Sequence, residues 1–215
     1  MVQLLNISEI DLKSLQYSQP KTNPSGGQTI YINTPNTSTK RLVISLPRCR
    51  LPFGVSDYNG RKSLQFSLQG DNDKMVTFKK FLADLDLLNV QTAVNNSTKW
   101  FKKNIPHDTV QTLYSPCMKQ NNDKYPPMFR SRFPTDAGKF VGDVFDVNKN
   151  LVSQEAITPG CEVEAIVELV GIYFVAKEFG VSWKVIQLKV FPNERLRGYS
   201  FLCDSDDDNS DAEPN

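Results

Sequence analysis

The sequence predicts a mainly β domain with one long inserted helix, and three observations carry that reading. Apolar and polar residues alternate with period two in segments near both ends of the chain, the signature of half-buried strands. Between those segments lies one stretch whose apolar residues recur every three or four positions, the signature of an amphipathic helix. The chain has 215 residues, 39% of them hydrophobic with 13 Phe, so it can build one sizeable core; 13 Pro and 11 Gly favour short elements joined by turns.

Residues 21–28 (KTNPSGGQ) read as a loop, and residues 29–32 and 41–46 as short strands, the second closed by Pro47. Residues 62–69 put Leu64, Phe66 and Leu68 on one face and Ser63, Gln65, Ser67 and Gln69 on the other, a half-buried antiparallel strand. Across residues 73–90 the period changes: Val76, Phe78, Phe81, Leu82, Leu85 and Leu88 define a helix with acidic residues near its start, and a weaker helical pattern continues over 91–103. Residues 110–114 predict a short strand, and Pro116, Pro126, Pro127 and Pro134 interrupt the next region of the chain. Strands over 139–147 and 151–153 flank a turn at 146–150. Residues 161–170 set Val163, Ala165, Val167 and Leu169 against Glu162, Glu164 and Glu168; residues 171–175 continue that strand and 181–191 form the last. A small, mostly antiparallel barrel is the economical architecture, with a sandwich as the alternative.

Residues 204–215 (DSDDDNSDAEPN) form a separate unit. They carry six carboxylates, Asp204, Asp206, Asp207, Asp208, Asp211 and Glu213, and no cation. Such a segment has nothing to bury and is expected to be a disordered, solvated tail on a domain of residues 1–203. The whole chain has 25 basic and 24 acidic residues, a net of +1; without those six carboxylates residues 1–203 stand at +7. A basic body with an acidic arm suggests a polyanion binder whose own tail competes for the site. The alternative is that the tail only aids solubility.

Most chemistry lacks its sequence signals. There is no phosphate loop, dinucleotide fingerprint or nucleophile elbow. The four cysteines are far apart in sequence and His107 is the only histidine, so no metal site, cofactor or catalytic group is expected. No apolar run approaches a membrane span, and the first residues lack the pattern of a secretory signal. An intracellular protein with free thiols and no membrane partner is expected.

The positive signal is a basic stretch interleaved with aromatics. Residues 99–139 hold eight cations (Lys99, Lys102, Lys103, Lys119, Lys124, Arg130, Arg132 and Lys139) against Asp108, Asp123 and Asp136, with Trp100, Phe101, Tyr114, Tyr125, Phe129 and Phe133 among them. Cations neutralise phosphates and aromatic faces stack on unpaired bases, the pairing that single-stranded nucleic acid requires. Alternation places Arg130 and Arg132 on one side of an extended segment and Phe129 and Phe133 on the other. In the last strand, Ile186, Leu188 and Val190 are expected inward, and Trp183, Gln187 and Lys189 outward as a base-stacking face; in the alternative Trp183 packs beneath a loop or the helix, and Lys184 points inward near the strand end or out through a rim. Core packing of the other aromatics also remains open.

Residues 171–192 (GIYFVAKEFGVSWKVIQLKVFP), followed by Leu196-Arg197-Gly198-Tyr199-Ser200-Phe201, carry a resemblance. Together with Lys139-Phe140, Val144-Phe145-Asp146 and Ile157-Thr158-Pro159-Gly160 upstream, they resemble single-stranded DNA-binding proteins of nucleocytoplasmic large DNA viruses, akin to phage replication proteins with acidic tails. The resemblance is best over residues 125–201. It implies an OB-fold, a five-stranded antiparallel barrel with an inserted helix, and sequence-independent binding of single-stranded DNA in replication, recombination and repair. The candidate DNA-binding residues are Lys99, Trp100, Lys102, Lys103, Tyr125, Phe129, Arg130, Arg132, Lys139, Trp183, Lys184 and Lys189. Implied partners are single-stranded DNA and replication proteins met through the tail; a homodimer is allowed, as are residence in host cytoplasm or nucleus and packaging in virions. The phage proteins end on an aromatic residue, whereas this sequence ends Glu213-Pro214-Asn215. The rival readings are a non-enzymatic virion β-sandwich for structure or protein interaction, and an RNA-binding barrel.

Overall fold

Alternating segments become strands in the computed structural model, which describes residues 3–22, 26–35, 37–175 and 178–191. In chain order the principal elements are β1 (Gln28–Asn33), β2 (Leu42–Ser45), β3 (Cys49–Arg50), β4 (Val55–Tyr58), β5 (Arg61–Ser67), α1 (Asp73–Asn95), α2 (Ser97–Phe101), α3 (His107–Leu113), β6 (Tyr114–Ser115), β7 (Met128–Arg132), β8 (Asp143–Phe145), β9 (Glu162–Val175) and β10 (Glu178–Phe191).

Five of these strands close a ring. β9 pairs with β3, β3 with β5, β5 with β7 and β9 with β10, all antiparallel. The ring closes where β7 meets β10 at Arg132 and Lys184, and this junction is parallel, so the expected antiparallel barrel is antiparallel at four junctions and parallel at one. The order is that of an OB-like barrel. β2 and β3 act as one strand along β9 interrupted at Pro47, which has no N–H to donate; the Leu46 amide still donates to the Ala165 carbonyl at 2.8 Å. β1 extends the sheet beyond the ring by pairing with the far end of β9.

The barrel interior holds Leu64, Phe66, Phe129, Val163, Val167, Val185 and Leu188. α1 closes over it. Its start is set by Asn72, whose side chain accepts from the Met75 amide at 3.0 Å. Its buried stripe of Met75, Phe78, Phe81, Leu82 and Leu85 packs Phe78 edge-on to Phe129 (5.4 Å between centroids) and Phe81 against Trp183 (6.5 Å). A polar staple fixes the helix: the Tyr114 hydroxyl donates to Asp86 at 2.7 Å, the Cys117 amide donates to the other Asp86 oxygen at 3.0 Å, and the Tyr17 hydroxyl donates to Asn89 at 2.7 Å. Burial pushes the Asp86 carboxyl above its ordinary range, and these donors, with the Cys117 thiol, pull the other way.

Two expectations are corrected. Of residues 110–114 only Tyr114 is strand: α3 occupies His107–Leu113 and strand begins at Tyr114. Pro106 precedes the helix, Asp108 sits in its first turn, and Val110 and Leu113, three apart, turn inward together. The second correction concerns the last strand. Ile166 faces Gln187 but Val167 faces Val185, so Ile186 is an extra residue in β10. This bulge flips the alternation: Trp183 and Val185 point inward before it, Leu188 and Val190 after it.

Candidate nucleic-acid interface

The outer face of the ring is built by the residues left over from core packing. β5 turns Leu64 and Phe66 inward, and Ser63, Gln65 and Ser67 lie on the opposite side of the strand, where Ser63 and Ser67 are themselves covered and Gln65 is half-buried. β7 turns Phe129 and Ser131 inward, so Arg130 and Arg132 face out, exposed beside the small polar side chains of β5. Arg130 Nε donates to Ser63 Oγ at 3.2 Å, which aims the guanidinium along the face. Arg50 of β3 lies opposite Ser67 and extends the row. Among the described residues no carboxylate lies within 4.0 Å of Arg50, Arg130 or Arg132. These cations remain available to an external anion.

Lys184, across the ring junction from Arg132, is held differently. Its ammonium lies 3.1 Å from Glu168, which also meets Arg41 at 3.4 Å. Glu168 is 7% exposed, and a carboxylate so buried requires cationic partners. The trio leaves one net positive charge at the edge of the face. Lys189 is neutralised by Glu164 at 3.6 Å and leans on the Phe191 ring.

The aromatic expectations change most. Trp183 is 2% exposed, Trp100 4% and Phe129 0%, so none presents a ring to solvent. Trp183 packs on Phe81 and Phe129, and Trp100 on Tyr17 and Phe174. On this side of the sheet the outward aromatics are two tyrosines that composition did not single out, Tyr173 and Tyr31. Tyr173 leans across β10 at Gly180, where an added Cβ would meet the Tyr173 hydroxyl at 3.1 Å and the Ser115 carbonyl at 2.7 Å; only glycine leaves this room. Burial pushes its phenol up, with the Glu178 charge adding to the rise, while the Ser115 hydroxyl and the field of Arg130 pull it down. Tyr31 of β1, 39% exposed, stands on the same face with the Lys21 ammonium 5.5 Å from its ring centre.

The remaining sequence candidates scatter. Lys99, Lys102 and Lys103 are exposed on and just after α2, which Phe101 anchors against Phe174 and Phe179 at the β9–β10 hairpin end. Lys102 takes the left-handed conformation that stops the helix. Tyr125 is 63% exposed in the loop before β7. Lys139 lies on a separate two-stranded hairpin. The tail carboxylates of residues 204–215 and Cys203 lie outside the described residues. Arg50, Tyr31 and Tyr173 were missed. For Arg50, alternation with the inward Cys49 and Leu51 was the available signal.

No group of three or more metal-binding side chains occurs among the described residues, and no described helix is long and apolar enough to cross a membrane. No curated protein matches the sequence. Residues 59–201 match the family of unknown function DUF5871. Among solved structures, the chain is similar to the single-stranded DNA-binding protein of bacteriophage Enc34, with 14% identity and a TM-score of 0.48 over 89% of this chain and 98% of that one. It is also similar to gp2.5, the single-stranded DNA-binding protein of bacteriophage T7, with 13% identity and a TM-score of 0.46 over 79% and 98%. Likenesses this distant leave function to the residues themselves.

Proposed function

The chain belongs to DUF5871, a family of unknown function, and we propose that it binds single-stranded DNA without sequence preference on the outer face of its barrel. The observation that carries this is the row Arg50, Arg130 and Arg132, three guanidinium groups with no carboxylate partner among the described residues, beside Ser63, Gln65 and Ser67. Arginines without carboxylate partners exchange solution counterions for phosphates. Tyr173, and Tyr31 beside it, supply stacking surfaces in place of the buried tryptophans. Lys184 adds charge at the junction, and Lys99, Lys102 and Lys103 carry the path past the hairpin end. Lys189, paired to Glu164, contributes little.

The acidic residues from Asp204 to Glu213 act in this reading as an intramolecular competitor for the same cations. The cellular role is DNA replication, recombination and repair of a large DNA virus, with replication proteins as partners of the tail. The resemblance of residues 125–201 supports it, together with the charge division between body and tail. The protein works by binding, with no catalytic step.

The test is a fluorescence-anisotropy titration with oligo-dT, oligo-rU and duplex DNA, using the native chain and one with the six tail carboxylates replaced by amides. Tighter binding of oligo-dT than of duplex, weakened by salt and strengthened by tail neutralisation, supports the reading. Equal affinity for oligo-rU makes the protein a general single-strand binder. No binding at low salt by either chain refutes it.

A further inference from the structure

The cationic face contains one carboxylate that phosphate binding does not call for. Arg132 of β7 stands opposite Lys184 of β10, and Lys184 stands opposite Glu168 of β9, so the three form one row across the ring junction. Neighbouring strands lie about 4.8 Å apart, which puts the Glu168 backbone about 10 Å from that of Arg132, with Lys184 between them.

A single oxygen of Glu168, Oε2, takes both cationic contacts, Lys184 Nζ at 3.1 Å and Arg41 Nη1 at 3.4 Å. The cations are open to solvent, with side chains 33% and 51% exposed, whereas the Glu168 side chain is 10% exposed. An anion arriving from solution therefore meets the two cations first and finds the carboxylate beneath them. A buried ion pair adds little to stability over apolar packing of the same shape. The effect of this one falls on the field above it. At 0.1 M salt the screening length is about 10 Å, so the Glu168 charge reaches a phosphate held between Arg132 and Lys184.

We propose that Glu168 is the counter-charge that sets the affinity of this face. It withholds one of the two positive charges of Arg41 and Lys184 from the bound phosphate, so the face releases a single strand more readily than its cations alone would allow. Glu168 touches no ligand and is a positioning residue, acting through its two partners. Arg41 joins the face through the same oxygen, although no sequence signal marked it. The inference rests on the nucleic-acid reading of this face.

Anisotropy titrations of oligo-dT between 50 and 200 mM salt test it. The starting chain is full length with the six tail carboxylates replaced by amides, so that no second competitor changes alongside Glu168. Glu168→Gln is expected to raise affinity and to steepen the slope of log affinity against log salt by about 0.7, one added charge on a single strand. Over that range its affinity should fall about 2.6-fold further than that of the starting chain. Glu168→Asp keeps the charge and is expected to keep the slope. Glu164→Gln makes the same change of net charge beside Lys189, five residues or about 16 Å along β10 from Lys184, and is expected to leave the slope unchanged. Arg41→Gln leaves Glu168 with Lys184 alone and is expected to make the slope shallower by about 0.7. The Arg41 side chain is half exposed, so this variant decides the matter should Glu168→Gln fail to fold. An unchanged slope in Glu168→Gln, equal steepening in Glu164→Gln, or an unchanged slope in Arg41→Gln would each overturn the role of Glu168 while the binding of oligo-dT stands. A starting chain that does not bind oligo-dT would overturn the nucleic-acid reading itself, and this inference with it.

Discussion

Replacing Arg130 and Arg132 by glutamine keeps the length of both side chains and removes two charges. The exposure of both residues and their lack of ion pairs put the expected change in stability within about 0.5 kcal/mol. The effect belongs in binding. Each cation that meets a phosphate on a single strand contributes about 0.7 to the slope of log affinity against log salt, so the double variant should have a slope shallower by about 1.4. Between 50 and 200 mM salt the native chain should therefore lose about sevenfold more affinity than the variant. Anisotropy titrations of oligo-dT at four or five salt concentrations measure both slopes. A variant that binds more weakly but keeps the native slope would show that these arginines do not meet phosphates, and the assignment of this face would fail.

Other consequences are as direct. Trp183→Ala should cost about 3–5 kcal/mol of stability by urea unfolding and leave the affinity of the folded fraction for oligo-dT unchanged; a stable variant that no longer binds would contradict the burial of Trp183. Tyr173→Ala should weaken oligo-dT binding by about 1–3 kcal/mol, the value of one stacked base, with Tyr173→Phe close to native; equal losses in both would assign the effect to the hydroxyl. Asp86 is held above its unfolded value of 3.8 by burial, so its contribution to stability is present below that value and lost as pH rises through the folded pKa. Asp86→Asn should remove that downward component from a melting-temperature profile against pH, and an unchanged profile would show that Asp86 does not titrate this way.

Much of the barrel was legible because the core dictates a period. Residues 61–67 alternate cleanly and became β5, and the three-and-four spacing after Asn72 became α1. Residues 107–113 were not legible, since β-branched Val110 and Thr112 in so short a segment suit either period. Trp183 was placed on the wrong face because the phase was carried back through Ile186, and a bulge leaves no mark in an apolar run. The arginines of β7 were legible by alternation against Phe129. Their freedom from carboxylates was not, because Lys184 and Lys189 read the same in sequence yet are tied to Glu168 and Glu164. Tyr173 needed the bare Gly180 opposite it, a cross-strand fact.

The central claim is that single-stranded DNA lies on the face formed by β5, β7 and the start of β10. Hydrogen-exchange mass spectrometry of the full chain, with and without saturating oligo-dT, reads this most directly. The account predicts added protection in peptides covering residues 61–67, 128–132 and 178–184, with the exposed side of α1 unchanged. Protection confined to other elements, or none at saturating oligo-dT, would contradict it.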